Sequence, residues 1–220
     1  MARYDGIADW YDTEFLSSDF HDPGRAAALR LLGTGPGRLL DLGCGTGAQT
    51  VAFRETGWDV TGVDASADML RRARIRGLQV VEADVSGLPF DDGAFDAVVS
   101  LWTHTDIDDF ASAVGEVGRV LRPGCPFVYV GVHPCFVGPH SRFIRAEGVP
   151  ALHPGYLLEG RYGPEAPGVG TEGLRAKVGG VHLPLGRFLT TFLAAGLRLE
   201  HFEELENRPY PYAIASRWRR

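Results

Sequence analysis

The sequence predicts an α/β fold with a doubly wound, mainly parallel sheet, and three observations carry that prediction. Short apolar runs alternate with helical stretches from residue 38 to residue 132. The first run, Arg38-Leu-Leu-Asp-Leu42, opens into Gly43-Cys-Gly-Thr-Gly47, a loop almost free of side chains, which lets a ligand approach the backbone. Asp41, Asp64 and Asp84 each close one of three successive strands, so all three face the carboxyl edge of one sheet, where ligands of open α/β sheets bind.

Each element has its own signal. Residues 23–33 read as a helix, with Pro23 in its first turn and Gly33 as its stop. Strand 38–42 is followed by a helix over 47–56 that ends at Gly57, then by strand 58–63. Ser66 caps the next helix, and strand 78–82 follows. A turn-rich loop over 86–94 leads to strand 95–100. Asp108 or Asp109 starts a helix through Leu121, Pro123-Gly124 ends it, and Pro126–Val132 is the fifth strand. Residues 133–182, rich in Gly, Pro and His, show no sustained period, which suggests a functional or mobile insert. Regular structure resumes with a helix at Gly186–Ala195 and strands at 197–205 and 211–217. The turn Asn207-Arg-Pro-Tyr-Pro211 is short enough that these two strands pair antiparallel.

Composition narrows the class. A chain of 220 residues, 45% hydrophobic, can bury one sizeable core, so a single domain over 1–220 is expected. A net charge of −6 argues against a phosphate-binding groove for nucleic acid. The cluster Arg71, Arg72, Arg74, Arg76 and the tail Arg217-Trp-Arg-Arg220 read as solvated faces. Cys44, Cys125 and Cys135 form no C-x-x-C pair, which disfavours a disulfide framework or structural zinc. No apolar run reaches the roughly 20 residues of a membrane span, and the first residues do not resemble a signal peptide, so a cytoplasmic protein is expected.

The site chemistry starts at Asp41. A carboxylate beside the glycine loop repels a pyrophosphate and attracts a cation, so the loop suits an adenosine ligand carrying an ammonium group, such as S-adenosylmethionine. Gly43, Gly45 and Ala48 also fit the loose dinucleotide fingerprint, which leaves an NAD-linked oxidoreductase as a rival reading. Asp64 is placed to bind both ribose hydroxyls, and Asp84 to accept from the exocyclic amine of adenine.

The stretches Leu40-Asp-Leu-Gly-Cys-Gly-Thr-Gly47, Gly62-Val-Asp-Ala-Ser-Ala-Asp-Met-Leu70, Ala83-Asp-Val-Ser-Gly-Leu-Pro-Phe90, Phe95-Asp-Ala-Val-Val-Ser100 and Glu116-Val-Gly-Arg-Val-Leu-Arg-Pro-Gly124 stand in a familiar order and spacing. In these the chain resembles the class I S-adenosylmethionine-dependent methyltransferases, specifically the small bacterial type 11 (UbiE-like) kind. The resemblance implies a Rossmann-like seven-stranded sheet of order 3-2-1-4-5-7-6 with its last strand antiparallel. It also implies a cofactor-covering segment over 1–34 and a substrate cap over 133–185. The implied cofactor contacts are Tyr4, Tyr11, Asp41, Gly43, Gly45, Gly47, Asp64, Ala65, Met69, Asp84, Val85 and Leu101, with S-adenosyl-L-homocysteine as product. Tyr4 and Tyr11 resemble the tyrosines that close over the methionine part, and Arg3 adds charge.

Methyl transfer from a sulfonium is an in-line displacement, so holding the two reactants supplies much of the catalysis. A base helps only if the acceptor must lose a proton. His133, just past the fifth strand, is the first candidate, then His104 after the fourth strand and His140 in the insert. His182 brackets the insert, whereas His201 reads as structural. Asp106, Asp108 and Asp109 read as helix-start acids rather than a metal site, so no metal is expected. Phe136, Phe143, Tyr156, Leu157, Leu158 and Tyr162 form an apolar cap suited to a small aromatic or amphiphilic acceptor. The expected partner is that acceptor, with neither nucleic acid nor membrane, and the protein a monomer or homodimer. A non-catalytic cofactor-binding subunit is the second rival reading.

Overall fold

Leu39, Leu40 and Leu42 are buried on both faces of strand β1 (Arg38–Leu42), and this makes β1 a central parallel strand. The computed structural model describes residues 2–16, 21–144, 149–205 and 210–220. Residues 206–209 of the expected terminal turn lie outside the described residues.

Before β1 come α1 (Ala8–Trp10), which continues into a π-helical turn at Tyr11–Phe15, and α2 (Asp22–Leu32). After it come α3 (Thr50–Glu55), β2 (Asp59–Asp64), α4 (Ala67–Ile75), β3 (Gln79–Glu82), β4 (Ala97–Leu101), α5 (Phe110–Val120) and β5 (Pro126–Val132). The chain then forms β6 (Ser141–Ile144), β7 (Val149–Leu152), β8 (Gly160–Tyr162), α6 (Leu174–Val178) and β9 (Gly180–His182). It closes with α7 (Leu185–Ala194), β10 (Arg198–Leu205) and β11 (Ala213–Arg219).

The main sheet runs β3-β2-β1-β4-β5-β11-β10. Counted within this sheet, β10 and β11 are the sixth and seventh strands, so the order is the expected 3-2-1-4-5-7-6. The last strand, β11, is antiparallel to both neighbours. Apolar layers cover both faces. On one, α5 and α7 set Phe110 on Phe188 and Phe192 on Trp218, the latter rings 4.5 Å apart. On the other, Ala27, Ala28 and Leu31 of α2 and Phe53 of α3 pack over Val99, Val128 and Ala215.

Three expectations are corrected. The helix after the glycine loop starts at Thr50, not 47, because the loop's turn runs on past Gly47 at φ +77°. The tail Arg217–Arg220 is not a solvated end. Trp218 is fully buried, and Arg217 and Arg219 of β11 both grip Glu200 of β10. The segment after β5 is not irregular throughout, since β6 pairs with β7 and β8 with β9 in two small antiparallel ladders. Strands of three or four residues are too short to show a period in sequence. Phe143 contributes backbone to β6.

Candidate active site

The site is built where the glycine loop leaves β1. Gly43 donates its amide to Val63 of β2, and Gly45, at φ +54°, has open space where a side chain would stand. Gly45 lends its amide to Oδ2 of Asp64 at 2.9 Å, and Ser66 lends its own to Oδ1 at 2.9 Å. Asp64 is thus fixed at the end of β2 with both oxygens engaged, and burial raises its carboxyl above the usual range. Gly47 stands in tight packing. A Cβ there would lie 2.3 Å from Leu78, so this glycine lets the loop pack against Leu78 and Ala73 of α4, and it lines neither cavity nor recess.

One cavity of about 620 Å³ opens above the carboxyl edge. Tyr4, Tyr11, Gly43, Gly45, Asp64, Ala65, Met69, Asp84, Val85 and Leu101 all line it. Asp41 lines a small adjoining recess that shares Tyr11, Gly43 and Gly45 with the cavity. Burial pushes the Asp41 carboxyl up to about 7, against the hydroxyl that Thr50 donates to it at 2.6 Å. In the same recess, Thr46 Oγ1 and Gln49 Oε1 are buried with no hydrogen-bond partner among the described residues. Two orphaned polar atoms and a carboxylate beside a bare glycine backbone suit a zwitterionic amino-acid group. Sequence reasoning missed Thr46 and Gln49, although their polarity beside the glycine loop was a usable signal. Asp84 turns one oxygen back to the Ser86 amide and hydroxyl, and these bonds hold its carboxyl low and ionised.

The floor is Trp102, held at φ +64°, a left-handed conformation rare for a large side chain. Its amide donates to Val130 at 2.7 Å, and its indole fills the space that a Cβ on Gly24 of α2 would need. It lines both cavity and recess while its other side packs on the core beneath.

The roof is residues 2–12. Tyr4 and Tyr11 meet edge to face at 5.7 Å. Asp5 accepts from Ser66, Asp68 accepts from the Gly6 amide, and Asp9 accepts from Arg72. Asp12 takes both oxygens to Arg76, which also reaches the carbonyl of Thr46. Arg72 and Arg76 are therefore clasps for the roof rather than a solvated face.

No histidine expected to act as base lines the cavity. His133 is 2% exposed, with Nε2 on Glu204 at 2.7 Å and Nδ1 accepting the Cys135 amide. His104 is bonded to the Tyr129 hydroxyl, and burial drives its imidazole down to about 3, so it stays neutral. His140 donates its Nε2–H to the Cys135 carbonyl and packs on His182 and Tyr156. These are packing positions. A strand end fixes which edge a residue occupies but not which way its ring turns.

The acids after β4 do face the cavity. Asp106 is gripped by Arg175 of α6 through both oxygens, Asp108 pairs with Arg3 and Arg161, and Asp109 caps α5 through Ser112. Among the described residues no group of three His, Cys, Asp or Glu side chains is arranged to hold a metal ion, and no helix is long and apolar enough to cross a membrane.

Residues 40–129 match the sequence family described as a methyltransferase domain. Over most of its length the chain also resembles the S-adenosylmethionine-dependent methyltransferase structure from Mesorhizobium loti. That likeness has a TM-score of 0.72 at 26% identity and covers 93% of this chain and 100% of the other. Over this stretch and in its architecture the chain is similar to the S-adenosylmethionine-dependent methyltransferases. Among curated relatives, the demethylmenaquinone methyltransferase of Thermus thermophilus is 43% identical over 108 residues, 46% of this chain and 49% of that protein. That of Mycolicibacterium paratuberculosis is 36% identical over 126 residues, 56% of this chain and 55% of that protein. The chain thus spans about half the length of these curated relatives. The dinucleotide reading finds no support in these likenesses.

Proposed function

We propose that the chain is an S-adenosylmethionine-dependent methyltransferase acting in the cytoplasm on O, N or C of a small aromatic or amphiphilic acceptor. What supports this is a cavity of about 620 Å³, which runs from Asp64 and Asp84 to Asp106, Arg161 and Val178. Its size lies within the roughly 300–1,000 Å³ usual for ligand sites. The cofactor, when bound, supplies an activated methyl group on a sulfonium. The chain's part is to hold: Asp64 for the ribose, Asp84 for the adenine amine, and Asp41, Thr46 and Gln49 for the amino-acid end. Residues 2–12 exclude water, and the segment 133–185 caps the acceptor side.

None of the candidate bases His133, His104 and His140 lines the cavity, so in this reading positioning carries the catalysis. A quinol-like aromatic is the first acceptor to try, because the curated relatives are named for demethylmenaquinone. The test is a screen of aromatic, amine and hydroxylated acceptors with S-adenosylmethionine, read by mass spectrometry as the gain of one methylene. Failure of the purified protein to bind either S-adenosylmethionine or S-adenosylhomocysteine in calorimetry overturns the reading.

A further inference from the structure

The loop between β3 and β4 carries Asp84, Val85 and Ser86 to the cavity wall. Its start is fixed to the sheet, where the Ala83 amide donates to the Asp64 carbonyl at 3.1 Å. Its turn closes on itself. The Gly87 amide donates to the Asp84 carbonyl at 3.1 Å, and the Ser86 amide to Asp84 Oδ1 at 2.8 Å. One residue beyond this turn the hold passes to α5. Leu88 donates its amide to Oε2 of Glu116 at 2.7 Å. Arg119, on the same face of α5, donates Nη2 to the Leu88 carbonyl at 3.0 Å and Nη1 to the Phe90 carbonyl at 2.7 Å. It also locks Glu116, with Nε on Oε1 and Nη2 on Oε2, both at 2.7 Å. One ion pair on one helix thus takes three backbone groups of the loop. Neither Glu116 nor Arg119 lines the cavity.

We infer that Glu116 and Arg119 are positioning residues that set the adenine selectivity of the site by fixing the loop on which Asp84 stands. The inference rests on the methyltransferase reading above, in which Asp84 takes the exocyclic amine of adenine. The turn Asp84–Gly87 adjoins the anchored Leu88, so a shift at Leu88 moves the Asp84 carboxylate as well. A hydrogen bond tolerates only a few tenths of an ångström of such movement. Bonds to charged groups are about twice as strong as neutral ones, which suits the pair to hold a loop that has no strand or helix of its own. The forked guanidinium spans two carbonyls and a carboxylate at once, whereas a lysine ammonium donates from a single point.

The test compares two ligands on the full chain by calorimetry, S-adenosylhomocysteine and its 6-oxo analogue S-inosylhomocysteine, which lacks the exocyclic amine. Wild type is expected to prefer the first about tenfold. Arg119→Lys keeps the charge but not the fork, and Glu116→Gln leaves one acceptor oxygen for three donors. In each variant the preference should fall below about threefold, chiefly through weaker binding of S-adenosylhomocysteine. General loosening of the fold would weaken both ligands alike and leave their ratio unchanged, so the ratio separates positioning from stability. Asp84→Ala should abolish the preference, and adding Arg119→Lys to it should change the ratio no further. A ratio kept at the wild-type value in both Arg119→Lys and Glu116→Gln overturns the inference and shows that packing of Leu88 and Phe90 alone places the loop. Wild type that binds both ligands equally also overturns it while the cofactor reading stands. Wild type that binds neither overturns both.

Discussion

Thr50, in the first turn of α3, donates its hydroxyl across 2.6 Å to Oδ2 of Asp41 near the end of β1. The bond steadies a carboxyl that burial has already pushed up to about 7. The folded state therefore binds this proton more tightly than the unfolded chain does, and stability contributed by Asp41 declines as pH rises from 3.8 to about 7. Asp41→Asn should make the ligand-free protein more stable than wild type at pH 8, by on the order of 2–4 kcal/mol, and no more stable at pH 4. Denaturant titration at the two pH values checks this. The same substitution should weaken cofactor binding. Wild-type binding should strengthen between about pH 6 and 8 with release of a proton, visible as buffer-dependent heat in calorimetry.

The roof is held by ion pairs, and these are screened by salt. Arg76→Ala removes the two-pronged contact to Asp12 and the bond to the Thr46 carbonyl. Cofactor affinity should fall several-fold in this variant. Raising ionic strength from about 0.01 M to 1 M should weaken wild-type binding more than that of the variant. Equal salt slopes would show that the clasp does not govern retention.

Gly24→Ala tests the floor. The added methyl would come within 2.5 Å of the Trp102 indole, whose backbone is already in a left-handed conformation. We expect a stability loss of roughly 1–3 kcal/mol from overpacking, together with weaker cofactor binding. A variant that loses stability but binds normally would place Trp102 outside the binding surface.

His104 should matter for folding and not for turnover. Its unfolded imidazole takes a proton near 6.5, the folded one only near 3, so its share of stability is lost as pH falls through that window. His104→Gln should cost about 1–3 kcal/mol at neutral pH, since it disturbs the buried bond to Tyr129. It should also flatten the acid limb of stability and leave turnover within about threefold of wild type. A much larger loss of turnover in a stable variant would restore His104 as a candidate base.

Much of the scaffold was legible because local rules and tertiary structure agree there. The Leu39-Leu40-Asp41-Leu42 run, the glycine loop after it and the Ser66 cap each depend on neighbours within a few residues. Long-range partners were not legible. Arg72 and Arg76 look solvated until residues 9–12 fold over them, and Arg175 finds Asp106 from 69 positions away. The surroundings of the histidines were hidden for a related reason. His133 stands one residue beyond β5 as expected, but Glu204, 71 positions downstream, takes its ring out of the cavity. At Gly47 the packing was not legible, because a glycine in a ligand loop can serve the ligand or the side chains beside it, and here Leu78 takes the space.

The roof precedes in sequence almost everything that holds it. Asp12 waits for Arg76 across 64 positions, and Arg3 waits for Asp108 across 105. Contacts so distant along the chain carry a large loop-closure cost and form late in folding. On the ribosome, then, the clasps at Ser66, Asp68, Arg72 and Arg76 exist before β4 has been made. Those at Asp108 and Lys177 come later, so a chain stalled between residues 76 and 108 would hold a roof only half fastened.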